Sequence, residues 1–186
     1  EIWNVIGFVD QMPCEETVLR FKIKKLGSDE DLDTILNNHP KAKLVIGIGD
    51  VSRRNKIISS LSFSEDRWAN LIHPSAIIAS NVKLSYGTVI MSRAIIQTGS
   101  VVSEHAIVNN GAVIEHNVYI GKNTHIASGA VIGGGCNFGN NCTIGLGSRI
   151  RDSISIGSGV TVGMGSVVVT DIPENETVVG VPARRI

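Results

Sequence analysis

Neither sign of charge is in excess in this chain, where seventeen Lys and Arg offset seventeen Asp and Glu. The balance removes the electrostatic footprint expected of a nucleic-acid binder or of a protein held on an anionic membrane surface. No run approaches the roughly 18 consecutive apolar residues that a membrane span needs, and no basic, apolar, small-residue leader opens the chain. The expectation is a cytoplasmic protein with no nucleic-acid partner and no membrane span. Cysteine is sparse: Cys14, Cys136 and Cys142 are odd in number, have no CxxC spacing and have no His partners at zinc-finger intervals. Neither a disulfide framework nor a structural zinc is indicated. With 42% hydrophobic and 18% charged residues over 186 positions, the chain can bury one large core or two small ones in series.

What the sequence has instead is a repeat. Every sixth position from Ile72 to Val168 is Ile, Val or Leu, with Phe138 the one exception, over seventeen hexads without a slip. Two residues before each aliphatic sits a second small or β-branched residue, as in Ala94, Ser100, Ala106, Ala112, Val118, Thr124, Ala130 and Cys136. Two inward positions two residues apart are strand alternation, followed by a break. Three residues after each aliphatic, twelve of the seventeen positions are Gly or Asn, the types that enter positive φ most easily, and Arg93 is the conspicuous misfit. Short strands joined by regular corners wind into a prism, with three hexads per coil and about 4.8 Å between coils. A β-sandwich would break this register within a few repeats.

Residues 1–70 differ in character. Ile2 to Val9 and Lys43 to Ile48 read as strands, Ser28 and Asp31 as a capping box opening a helix to Asn38, and Asp50 or Ser52 as the cap of a helix to Leu61. His73-Pro74 marks the junction with the repeat over 71–173, and 174–186 form a tail.

The hexads, with the closing "VVVTDIPENETVVGVPARRI", resemble the left-handed β-helix acyltransferases. More narrowly, "VIGFVD", "LVIGIGD", "LIHPSAIIAS" and "VNNGAVIEHN" follow the order seen in bacterial sialic-acid O-acetyltransferases and nucleotide-aminosugar N-acetyltransferases. The resemblance implies a small Rossmann-like α/β subdomain, here lacking its first strand and Gly-rich turn, followed by a left-handed parallel β-helix of hexapeptide repeats. It further implies acetyl-CoA as co-substrate, a sugar-nucleotide acceptor, and a homotrimer with the cofactor groove between subunits. Outward apolar residues such as Ile77, Ile95, Val113 and Val131 line up at one phase, more than a solvated surface favours.

Acetyl transfer to an amine or hydroxyl needs a base for the acceptor's proton and donors for the oxyanion. A histidine suits the first task, since its ordinary pKa of about 6.5 leaves a neutral imidazole at cytosolic pH. His116, one residue before the Asn117 corner, matches the family's catalytic histidine. Its candidate catalytic neighbours are Asn117, which stands where the family commonly has an acid, and Glu115 on the other side, the candidate substitute for that acid. The resemblance places His125 near the acetyl-CoA thioester, and Gly134, Leu146 and Met164 beside the cofactor, the last two eighteen residues apart. It assigns Asp10, Gln11, Gly49 and Arg54 to sugar-nucleotide binding, while Arg184 and Arg185 are candidates for the CoA phosphates. Read without the resemblance, His116 is an exposed corner histidine, and Leu146 and Met164 are apolar residues in turns. His105, His116 and His125 occupy three different phases of the hexad, which argues against one metal ion shared among them. N-acetylation of a nucleotide-linked amino sugar is the leading function, with O-acetylation its nearest rival and a non-catalytic β-helix scaffold the alternative of another class.

Overall fold

The computed structural model describes residues 3–11 and 22–186; Cys14 and the Ile2 end of the expected first strand lie outside them. The chain forms two compact units, Glu1–Ala42 and Lys43–Ile186. In the first, strand β1 (Phe8–Val9) pairs in parallel with β2 (Lys25–Gly27). The strand expected from Ile2 to Val9 is thus confined to its last two residues, because residues 3–7 find no ladder partner among the described residues. Ser28 and Asp31 form the expected capping box, with the Ser28 N–H donating to Asp31 Oδ2 at 2.8 Å. Helix α1 (Leu32–Asn38) follows and buries Leu32 and Leu36, one turn apart on one face.

In the second unit Lys43 to Ile48 alternate exposed and half-buried, as a strand would. Their one ladder contact, however, is the parallel bridge from Leu44 to Trp68. A strand needs a neighbour along its length, and here one is available at a single point, so the expected second strand does not form. Helix α2 (Val51–Ser60) begins where Asp50 accepts a hydrogen bond from the Arg53 N–H at 2.7 Å. It buries Arg54 and Ile58.

From Leu71 the chain winds as a parallel β-helix of two-residue strands with an eighteen-residue coil, an arrangement that fits the left-handed type. Face I stacks 77–78, 95–96, 113–114, 131–132, 149–150 and 167–168; face II stacks 83–84, 101–102, 119–120, 137–138 and 155–156. Face III stacks 71–72, 89–90, 107–108, 125–126, 143–144, 161–162 and 177–179, with 184–185 closing it antiparallel. Register is unbroken, as in Tyr119 opposite Asn137 and Ile120 opposite Phe138. The aliphatic column is sealed from Ile90 to Val168, whereas Ile72 at the first coil is 46% exposed for want of a coil above it.

The second inward column explains its own composition. Ser100, Thr124 and Ser148 are buried beside corners and donate to the carbonyls of Glu115, Gly139 and Gly145 at 2.9, 2.9 and 2.8 Å. Cys136 and Cys142 do likewise toward Arg151 and Gly157, both at 3.1 Å. A small side chain with one donor thus supplies a hydrogen bond to a carbonyl at the tight turn, and the Gly145 carbonyl accepts from the Ser148 N–H as well. Burial raises both thiol pKa values, which keeps them protonated and unreactive.

All fourteen corner residues from Gly87 to Gly165 adopt positive φ, including Arg93 at 56° and Ser153 at 57°. The misfit Arg93 obeys the repeat because the ladder on either side dictates its backbone. Replacing the buried Ile120 by Ala is expected to cost about 2–5 kcal/mol. The measurement is a lowered denaturant midpoint with an unchanged m-value.

Candidate active site

Edge I/II of the prism carries His116. The Asn117 corner, with φ 57°, turns the chain so that the His116 side chain stands exposed outside the core. The ring lies over the next coil, where a Cβ on Gly134 would approach its Cε1 and Nε2 to 2.7 Å. Gly134 is therefore the floor under the imidazole, and any side chain there would push the ring away. Asn117 Nδ2 sits 3.2 Å from His116 Nδ1. The structure thus joins His116, Asn117 and Gly134, while Glu115 is half-buried on the strand side of the corner.

Edge III/I is bare. Gly111, Gly129, Gly147 and Gly165 form its corner column, all with positive φ, and a Cβ on any of them would meet open space. Leu146 and Met164 flank the column on successive coils, 53% and 77% exposed, and the Gly165 N–H donates to the Leu146 carbonyl at 2.8 Å. A bare backbone edge lined along one side by apolar side chains suits a long, thin, flexible ligand lying against it. Face I separates this edge from His116, so a single chain does not bring the two together.

Edge II/III and the adjoining strand of face III hold a buried polar cluster. Arg54 on α2 is 1% exposed and donates to the carbonyls of Ile48, Gly49 and Asn123 at 2.9, 3.1 and 2.9 Å. Burial lowers its pKa to about 10, opposed by the charge of Asp50. Arg54, which the resemblance assigns to sugar-nucleotide binding, ties α2 to the Asn123 corner, its side chain leaving the buried face of the helix. Asn123 completes the tie, donating from Nδ2 to Val51 O at 3.0 Å and Asn141 Oδ1 at 2.8 Å.

His125 lies 3.2 Å from Gly49 O through Nδ1 and 3.2 Å from Asn109 Nδ2 through Nε2. Nδ1–H donates to the carbonyl and Nε2 accepts from the amide, which uses both ring nitrogens. Burial and then the Arg54 charge push its pKa down, so the ring is neutral and offers no free N–H to a thioester. Gly49 is exposed, and its carbonyl serves Arg54 and His125. Asn109 and Asn123 escaped the sequence reading because an Asn at or near a corner announces only a turn.

Asp10 and Gln11 follow β1 as exposed residues of the first unit, whereas Gly49 and Arg54 belong to the second. In the tail Arg185 pairs with Glu176 at 2.9 Å, and Arg184 donates to the Ala183 carbonyl. No group of three or more His, Cys, Asp or Glu side chains able to hold a metal ion occurs among the described residues.

Residues 99–134 match the family of bacterial transferase hexapeptides (six repeats), and residues 131–170 match the hexapeptide repeat of succinyl-transferase. The acetyltransferase domain of PglB from Neisseria gonorrhoeae superposes with a TM-score of 0.81 at 32% identity, covering 88% of this chain and 80% of that one. This chain belongs to the hexapeptide-repeat acyltransferases. A further member of this kind, perosamine N-acetyltransferase from Caulobacter crescentus, was solved as a His-to-Asn variant with CoA and GDP-perosamine. It superposes with a TM-score of 0.83 at 30% identity, covering 89% of this chain and 79% of that one. The PglB domain with acetyl coenzyme A gives 0.77 at 30% identity, covering 98% and 83%. No curated protein matches the chain.

One histidine of this acyltransferase sets a pH dependence. His105, 4% exposed, is stacked edge-on to Trp68 and Tyr86 at 4.6 and 5.4 Å. Its pKa is pushed down to about 4 by burial, then by Lys122 and Arg54 against the opposing Glu104. Between that value and about 6.5 the unfolded chain binds a proton that the folded chain does not. Stability is therefore expected to fall as pH drops through this window, by up to ~1.4 kcal/mol per unit from this residue. Urea unfolding at pH 7 and pH 5 measures it. His105→Asn, which tolerates the corner's positive φ, should have a shallower dependence, with His125 contributing the remainder in the same direction.

Proposed function

We propose that this chain transfers the acetyl group of acetyl-CoA to the amino group of a nucleotide-linked amino sugar, with His116 as general base. The observation that carries the reading is the exposed His116 ring seated on Gly134, on a chain that also offers a bare edge of glycine corners. The thioester supplies an activated acyl carbon with a good leaving group. His116 accepts the proton as the acceptor nitrogen attacks that carbon, and then returns it to the departing thiolate, so one proton crosses from amine to sulfur through one imidazole. The glycine column with Leu146 and Met164 fits pantetheine, whose length and flexibility ask for continuous shallow contact. Acceptors of this type are seen in the perosamine enzyme, whose structure holds GDP-perosamine. The small α/β unit with Asp10 and Gln11 is proposed to contribute to holding the nucleotide.

The active unit is proposed to be a homotrimer. His116 and the Leu146–Met164 groove lie on different edges, so a complete site takes the imidazole from one chain and the groove from the next. The outward apolar residues of face I support this, with Ile77 64% and Val131 36% exposed. A cytoplasmic address fits substrates of this kind.

Free thiol release from acetyl-CoA, screened against nucleotide amino sugars and hydroxyl acceptors, tests the activity. His116→Ala should lower kcat by at least about a hundredfold, and product analysis separates N- from O-transfer. Absence of turnover on every acceptor would instead favour a scaffold. Gly147→Val, which fills the groove at a corner of positive φ, should raise the KM for acetyl-CoA strongly. Mixed assemblies of His116→Ala and Gly147→Val chains are expected to regain activity that neither shows alone, and failure to do so would place the whole site within one chain.

A further inference from the structure

The His116 ring is located from two sides. Gly134 floors its Nε2–Cε1 edge, and the Asn117 amide meets its Nδ1 through Nδ2 at 3.2 Å. A second contact fixes which way that amide faces. Its Oδ1 occupies the space that a Cβ on Gly99 of the preceding coil would need. The oxygen therefore lies against a bare α-carbon, whose C–H groups favour an acceptor over an amide NH2. With Oδ1 there, Nδ2 is the end that meets the imidazole.

An amide nitrogen can only donate, so Nδ1 must accept. A neutral imidazole has one N–H, which then sits on Nε2. We propose that Asn117 is a positioning residue that sets the tautomer of His116, holding the ring's proton on Nε2, the nitrogen left free to face a substrate. This inference rests on the reading of His116 as the base. In the resting enzyme the free nitrogen is then a donor, and the lone pair needed for proton abstraction appears only when the ring gives its Nε2 proton to solvent and takes one up on Nδ1, with the Asn117 amide turned over so that Oδ1 accepts from Nδ1–H. A carboxylate at the same place accepts only, so it would lock the proton on Nδ1 and leave Nε2 permanently able to act as base. The corner itself tolerates the exchange, since Asp as well as Asn enters positive φ. Asn117 therefore restrains the catalytic imidazole by the direction of one hydrogen bond.

The test uses the full chain and compares wild type with Asn117→Asp. Long-range 1H–15N correlation spectra of labelled protein, assigned with His116→Ala, report which ring nitrogen carries the proton and need no substrate. Wild type is expected to show Nε2–H, and Asn117→Asp to show Nδ1–H. With acetyl-CoA and an accepted amino sugar, Asn117→Asp should raise kcat by at least about tenfold, with the KM of either substrate changed less than about twofold. A wild-type ring protonated on Nδ1, or an Asn117→Asp variant whose tautomer and kcat both match wild type, would overturn the proposal. If no acceptor is turned over, or His116→Ala is as active as wild type, the reading of His116 as base fails, and the spectra alone decide whether Asn117 sets the tautomer.

Discussion

A residue of positive φ at every sixth position allows two-residue strands to meet at corners without losing register, and every other feature of the repeat depends on that corner. It returns the chain to the same face after eighteen residues, as the pairing of Ile120 with Phe138 shows. Each strand then finds parallel partners on the coils before and after it, which satisfies backbone groups that a two-residue strand could not satisfy alone. The corner also decides where side chains can project. Residues at and beside it leave the ladder, so exposed His116 and the bare glycines of edge III/I sit at edges, whereas the aliphatics three residues from the corner are sealed inside.

Because the corner conformation is imposed by the ladder, the residue occupying it is free to vary in chemistry. The same position is Gly99, His105, Gly111, Asn117 and Asn123 in successive hexads. A Gly leaves open groove or makes room for a neighbour's ring. A His fills a pocket against Trp68. An Asn holds an adjacent imidazole, or donates onward to the next coil, as Asn123 does to Asn141. Function in this scaffold is therefore written in the corner residues and their immediate neighbours, while stability is written in the columns.

The polar cluster around Arg54 shows how residues 48–54 of the second unit are joined to the repeat. A buried guanidinium is costly unless its donors are satisfied, and three main-chain carbonyls accept from the two terminal nitrogens of this one, while its Nε has no hydrogen-bond partner among the described residues. The cluster also engages His125 through Gly49. Arg54 and His125, assigned to ligands by resemblance, both hydrogen-bond to the chain's own main-chain carbonyls. Identity and spacing place such residues near a site, but they do not reveal where the hydrogen bonds go.

The hexad period, the two inward columns and the corner phase were legible residue by residue, because a one-dimensional repeat makes each contact a fixed distance along the chain. Helix caps at Ser28 and Asp50 were legible for the same reason, since their partners lie within three residues. The candidate base was legible from its motif and its place before a corner. The strand readings at Ile2–Val9 and Lys43–Ile48 overreached, because a strand exists only where a neighbour runs beside it, and no local pattern announces that neighbour. Tertiary structure alone decided that Gly134 lies beneath His116, that Asn117 rests its amide oxygen against Gly99, and that Arg54 faces inward. Each of these is a contact between coils or across elements, fixed by stacking and burial rather than by adjacency in sequence.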